Sequence, residues 1–277
     1  MITNKTEKEL AYLQDLFIVT EWGERFAELI DAHVRLPKEG QVLYLNAGTG
    51  SHALALQKRA GTEVHLLCVD ESEECLELAR AKAATTKAKA TFHRSNPEDL
   101  SFSDEEFDLV VGDASLTPPE EVRGVLSEMV RVAATGATVA VMLPTCSSFG
   151  EFFSIYWEAL HNSGWEDHEV DVESLIIKLP TISDIEEIVK HEGLEDVTSW
   201  TRIEGFDYES AEDFFKSPLI SDFLMKNWLQ SIPQAAWAGV TQEISRIINE
   251  DRHNAEFSLT VKATLVMGNK AELPLAG

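Results

Sequence analysis

Basic residues are scarce in this chain. There are 23 lysines and arginines against 48 aspartates and glutamates, a formal charge of −25 at pH 7. Nucleic-acid binding is driven by clustered cations, so the deficit argues against a nucleic-acid partner. An acidic surface mainly serves solubility. Cysteine is rarer still. Cys68, Cys75 and Cys146 are odd in number and show no C-x-x-C spacing, which points to a reducing, cytoplasmic setting and away from structural zinc. No apolar run approaches the roughly 20 residues of a membrane span, and residues 1–5 do not open a signal peptide. The eight histidines (His33, His52, His65, His93, His161, His168, His191, His253) share no ligand spacing and form no H-E-x-x-H, so no metal is expected. Repeats and low-complexity tracts are also missing. What remains is a chain with 44% hydrophobic residues, too apolar for disorder and long enough for one large α/β domain with an attached subdomain.

Hydrophobic periodicity supplies the layout. Leu10, Leu13, Phe17, Phe26, Leu29 and Ile30 recur at helical spacing over residues 7–35, with a break near Gly23. Short apolar strands are predicted at 41–45, 64–69, 90–93, 107–111 and 137–143, separated by helices, the second of them starting at Ser72. Near-continuous Val/Leu/Ala strands alternating with helices mark a parallel sheet covered on both faces. Beyond Pro144 the rhythm changes: helices are expected at 149–164, 183–191, 210–216, 218–230 and 234–249, and strands at 195–208 and 257–265. The expected division is an N-terminal helical lid (1–36), a Rossmann-like core (37–146), a helical cap (147–193) and the remainder of the sheet with a further helical insertion (194–277).

Between the first strand and its helix stands Gly48-Thr49-Gly50-Ser51-His52-Ala53, which satisfies G-x-G-x-x-G/A. Asp70 follows Gly50 by twenty residues, at the end of the next strand. Glycines admit a ligand close to the backbone, and an acid so placed holds a ribose diol. A nucleoside-containing ligand is expected. Two kinds suit such a loop, a dinucleotide serving an oxidoreductase or S-adenosylmethionine.

The motifs that follow separate them. Residues 42–50, VLYLNAGTG, resemble the first motif of class I methyltransferases, usually V-L-D-L-G-C-G-T-G. The resemblance continues through Val69-Asp70-Glu71-Ser72, then Asn96-Pro97-Glu98-Asp99-Leu100 ahead of Phe107-Asp108-Leu109-Val110, and residues 126–133 before Thr135-Gly136-Ala137. It implies a doubly wound, mostly parallel seven-stranded sheet with helices on both faces, the last strand antiparallel, plus helical cap insertions. It implies S-adenosyl-L-methionine as cofactor and methyl transfer by in-line displacement to a small apolar or aromatic metabolite. Carried over by position, Tyr44, Asn46, Ala47, Gly48, Thr49 and Gly50 take the methionine end of the cofactor. Asp70 takes the ribose, with Glu71 and Ser72 beside it, while Asn96, Pro97 and Glu98 lie along the adenine.

Two positions depart from the pattern. Tyr44 replaces the family's acid, and Asn46 its first glycine. A phenol that accepts the cofactor's ammonium gives a neutral hydrogen bond in place of a charged one, a loss of about 1–1.5 kcal/mol, or about tenfold in affinity. These departures keep a second reading in view, a non-catalytic relative that binds the cofactor or a partner.

A sulfonium methyl is already activated, so the chain need only align an acceptor and, where the acceptor carries a proton, remove it. Asp113, at the sheet's carboxyl edge, and His52, just past the glycine loop, are candidates for that base; each also reads as an ordinary strand-end or helix-start residue. Phe149, Phe152, Phe153, Tyr156 and Trp157 form a helical stripe that is either core or part of an apolar cap. Phe149, Phe153 and Trp157, with Tyr12, Phe17 and Trp22 from the first helix, are the candidate acceptor pocket.

Overall fold

The computed structural model describes residues 5–230, 232–250 and 257–272. The first helix, α1 (Glu7–Leu13), starts in a capping box. The Thr6 hydroxyl accepts from the Glu9 N–H, and the Glu9 carboxylate accepts from the Thr6 N–H at 2.8 Å. The interruption expected near Gly23 takes a particular form. The helix widens into a π-helical segment, Gln14–Gly23, and the α-helical winding resumes as α2 (Glu24–His33).

The alternation predicted from the apolar runs follows: β1 (Glu39–Leu45), α3 (Ser51–Arg59), β2 (Glu63–Asp70), α4 (Glu73–Thr86), β3 (Thr91–Arg94), β4 (Phe107–Asp113), α5 (Val122–Val132) and β5 (Ala133–Pro144). Beyond it come α6 (Gly150–Asn162), α7 (Glu169–Lys178), α8 (Ile182–His191), β6 (Leu194–Tyr208), α9 (Ala211–Lys216), α10 (Met225–Leu229), α11 (Trp237–Glu250) and β7 (Phe257–Lys270). Three differences from the sequence pattern stand out. β5 begins at Ala133, ahead of the Thr135–Gly136 turn signal; α7 has no counterpart among the predicted helices; and β7 runs on past Leu265 to Lys270.

The seven strands lie in the order β3-β2-β1-β4-β5-β7-β6. β1 pairs in parallel with β2 and β4, β2 with β3, and β4 with β5, and the sheet becomes mixed towards its last strands. This is the doubly wound, mostly parallel architecture expected. The chain leaves β1 to one side and returns to it from the other through β4. The carboxyl ends of β1 and β4 therefore form the switch point where open α/β sheets bind ligands.

The described residues fall into two compact units, one comprising residues 5–143, 181–201 and 263–272, the other 144–180, 202–230, 232–250 and 257–262. In the first, α5 buries Val122, Val125, Leu126, Met129 and Val130 in a cluster with Leu43, Leu45, Val110, Val139 and Val141. Each such side chain contributes roughly 1.5–3 kcal/mol. In the second, the aromatic stripe of α6 is core. Phe152 stacks on Trp228 with centroids 4.3 Å apart and on Phe214 at 5.8 Å, and Phe149 lies 5.3 Å from Trp228.

Arg131, in the last turn of α5, ties down the segment that leads into β4. Its guanidinium donates to the Glu128 carboxylate at 2.7 Å, to Asp104 at 2.7 Å and to the carbonyls of Leu100 and Phe102 at 2.9 and 2.8 Å. Removing it strands several acceptors at once. Arg131→Ala is expected to lower stability by about 1.5–3 kcal/mol in urea melts. A loss below about 0.5 kcal/mol, the scale of an exposed ion pair, would contradict this.

Candidate active site

β1 is a fully buried strand from Val42 to Leu45, so its end is held rigidly at the switch point. The chain then turns sharply, with Asn46, Gly48 and Gly50 at φ of 53°, 53° and 77°. Asn46 stands where the family pattern has glycine because asparagine is among the few other residues that tolerate this left-handed conformation. Its side chain also does what glycine cannot: Nδ2 donates to the Asp113 carbonyl at 2.9 Å and to Thr117 Oγ1 at 3.3 Å, joining the ends of β1 and β4. At Gly50 a Cβ would stand 2.8 Å from the Ala79 Cβ and 3.0 Å from Phe92 Cε1.

Asp70, at the end of β2, braces this loop. The Gly48 N–H donates to Asp70 Oδ2 at 2.7 Å and the Ser72 N–H to Oδ1 at 2.9 Å. Burial pushes the Asp70 carboxyl above the usual range, opposed by the N–H groups of Ser72, Gly48 and Glu71. Ser72 caps α4 by accepting from the Cys75 N–H at 3.2 Å, while Glu71 is exposed. Past β3, Asn96 accepts from the Glu98 N–H at 2.8 Å in a tight turn. Asn96 and Glu98 are exposed there and Pro97 is buried.

The N-terminal helices cover the loop. Gln14 stands so close to Gly48 that a Cβ there would meet Gln14 Nε2 at 2.7 Å. Thr49 Oγ1 donates to Asp15 at 2.6 Å. Lys82 pairs with Asp15 and donates to the Thr49 carbonyl at 3.0 Å and to Ser51 Oγ at 2.7 Å.

Beneath them is a cavity of about 340 Å³. Of the side chains predicted for the site, it brings together Trp22, Tyr44, Asn46, Ala47, Gly48, Thr49, His52 and Asp113. Gly50, Asp70, Glu71, Ser72, Asn96, Pro97 and Glu98 follow the adjoining strand ends and do not line it. Trp22 is on the cavity and fully buried, its Nε1 donating to Ser115 Oγ at 3.0 Å. Tyr12 and Phe17 are 47% and 38% exposed. Phe149 and Phe153 are buried in the core of the other unit, and Trp157 is 43% exposed on it, stacked against His161. Phe149 and Phe153 lie there because the stripe's i, i+3, i+4 spacing serves packing against Trp228. His253 lies outside the described residues.

Tyr44, His52 and Asp31 form a hydrogen-bonded chain on the cavity wall. The Tyr44 hydroxyl lies 2.8 Å from His52 Nδ1, and His52 Nε2 lies 3.1 Å from Asp31 Oδ1, which also pairs with Arg59. A carboxylate only accepts, so Nε2 carries the imidazole proton and Nδ1 accepts from the phenol. Burial lowers the His52 pKa below its ordinary value, with the Asp113 charge opposing it. Burial, joined by the same charge, raises that of Tyr44. Burial also raises Asp113, whose Oδ1 accepts from the Ser115 N–H at 2.9 Å. At neutral pH the imidazole is neutral and the phenol protonated. Sequence reading missed Gln14, Asp15, Asp31 and Ser115. Each is a polar residue with no local motif; Asp15, for one, meets Thr49 across 34 positions of chain.

Residues 42–136 match the family model of the methyltransferase domain. A demethylmenaquinone methyltransferase of Halalkalibacterium halodurans is 31% identical over 125 residues, 43% of this chain and 51% of that one. The chain spans about two fifths to one half of the length of the curated relatives it matches. Among solved structures, the YcgJ protein of Bacillus subtilis superposes with a TM-score of 0.60 at 17% identity, covering 90% of this chain and 100% of that one. Phosphoethanolamine N-methyltransferase 2 of Haemonchus contortus, solved with S-adenosylhomocysteine, superposes at 0.56 with 17% identity, covering 98% and 59%. These likenesses are of fold. Motif series, sheet order and family match coincide on one stretch, and residues 42–136 form a methyltransferase domain of the class I, Rossmann-like kind.

Proposed function

We propose that this protein transfers the methyl group of S-adenosylmethionine to a small, apolar or aromatic acceptor. The observation that carries the reading is the left-handed loop Asn46–Gly50, braced by Asp70 and opening on a cavity bounded by Asp113 and Trp22. The residues fit the cofactor's chemistry. Carboxylates of Glu24, Glu28, Asp31 and Asp113 line the cavity, and among the described residues no lysine or arginine does, which suits a ligand bearing a sulfonium and an ammonium. Asn46 to Gly50 would hold the methionine end, Asp70 the ribose, and Asn96, Pro97 and Glu98 the adenine. Gln14 and Asp15, which lie on the glycine loop, act as the lid over it. Bound there, S-adenosylmethionine supplies an activated methyl group, and the protein's part is to align the acceptor and exclude water. Ile18, Val19, Trp22, Leu116 and Met142 give the cavity an apolar wall for that acceptor. Relatives named demethylmenaquinone methyltransferases support methyl transfer as the reaction.

Release of S-adenosylhomocysteine from S-adenosylmethionine, screened against a metabolite library, tests this. Turnover with one or a few apolar acceptors is expected. Tight cofactor binding with no release across the library would assign the chain to the non-catalytic reading instead.

A further inference from the structure

We infer that Tyr44, His52 and Asp31 form a proton relay by which the protein deprotonates its acceptor, with Tyr44 as the catalytic residue that touches the acceptor, His52 the terminal base and Asp31 a positioning residue. The inference rests on the methyl-transfer reading and assigns its acceptor to the class that loses a proton, such as a phenol, enol or protonated amine.

All three side chains line the cavity. They come from three elements, β1, α3 and α2, and meet in one line, phenol to imidazole at 2.8 Å and imidazole to carboxylate at 3.1 Å. The direction is fixed at the far end. Asp31 accepts from Nε2, which leaves Nδ1 with a free pair aimed at the phenol. A Tyr44 oxygen that donates its own proton to Nδ1 still has lone pairs for a proton arriving from the cavity. In the step, the acceptor's X–H bond breaks and its proton passes to the Tyr44 oxygen as the phenolic proton passes to His52 Nδ1. The electron pair left on the acceptor atom is the one that forms its new bond to the methyl carbon. The imidazolium is stabilised by Asp31 and later returns the proton to solvent. The arrangement follows the logic of a hydroxyl–imidazole–carboxylate triad.

The electrostatics agree. His52 is neutral near pH 7, hence able to accept, and Tyr44 stays protonated, hence works by relay rather than as a standing phenolate. The charged groups facing the imidazole are Asp31 with its partner Arg59, and Asp113 at the end of β4, while Glu24 and Glu28 of α2 line the same cavity. The relay also explains Tyr44 itself: the position that carries an acid in the family pattern here carries the end of a hydrogen-bonded chain.

The test uses the full chain labelled with ¹⁵N-histidine. At pH 7 the His52 signals should show Nε2 protonated and Nδ1 bare. Asp31→Asn should lower the protonation midpoint and Tyr44→Phe should raise it, each by about one pH unit. A protonated Nδ1, or a midpoint unmoved by both substitutions, overturns the relay. With phenols as probe acceptors, the rate should fall as pH drops through the measured midpoint. His52→Gln, which keeps a donor and an acceptor, should lose about 100-fold or more in kcat with KM little changed. Undiminished His52→Gln on phenols, or no transfer to any phenol by a protein that binds S-adenosylmethionine, overturns the relay. Calorimetry with S-adenosylhomocysteine on the same samples keeps the two questions apart. A wild type that does not bind it removes the methyl-transfer reading, while the histidine spectra still report on the hydrogen-bonded chain.

Discussion

Gly50→Ala should be among the most damaging single substitutions in the core. At φ of 77° an alanine meets the left-handed penalty of about 1–2 kcal/mol. Its Cβ must also displace the Ala79 Cβ from 2.8 Å and Phe92 from 3.0 Å, an overpacking worth about 1–3 kcal/mol more. A combined loss of about 2–5 kcal/mol is expected in denaturant melts. Gly136 provides the control. Its φ is 78°, but nothing stands within 4 Å of a Cβ there. Gly136→Ala should show the backbone penalty alone, about 1–2 kcal/mol. Equal losses at the two positions would mean that α4 and β3 yield to the intruding methyl.

Asp70→Ala should have the largest effect on the ligand. The proposed ribose diol loses a charged acceptor, worth about 1.5–3 kcal/mol, or roughly 10- to 150-fold in affinity for S-adenosylhomocysteine. The structure adds a second consequence. The same carboxylate holds the Gly48 and Ser72 N–H groups, so its removal also loosens the loop, and stability should fall by about 1–3 kcal/mol. Asp70→Asn separates the two. One amide oxygen can still accept from one of these N–H groups, so more of the stability than of the affinity should survive. Unchanged affinity in both variants would remove Asp70 from the site.

The sheet was legible because a parallel strand buried on both faces must be apolar throughout, as Val42–Leu45 and Leu109–Val111 are. The glycine loop and Asp70 were legible because left-handed turns and strand-end acids leave fixed spacings. The start of β5 was not: Thr135 and Gly136 look like a turn, yet Gly136 takes its positive φ within the strand. The aromatic stripe of α6 shows a harder limit. Its periodicity announces a buried face but is silent on what that face meets, and Phe214 and Trp228 lie some sixty or more positions further along the chain. Asp31 was invisible for the same reason. A polar residue on an amphipathic helix reads as solvated until the fold sets His52 and Arg59 against it.

Calorimetric titration of the full chain with S-adenosylhomocysteine tests most directly the cofactor site on which the methyl-transfer reading stands. One-to-one binding in the micromolar range, weakened by Asp70→Ala, is the predicted result. No heat at millimolar ligand, or binding of NADH in its place, would contradict it.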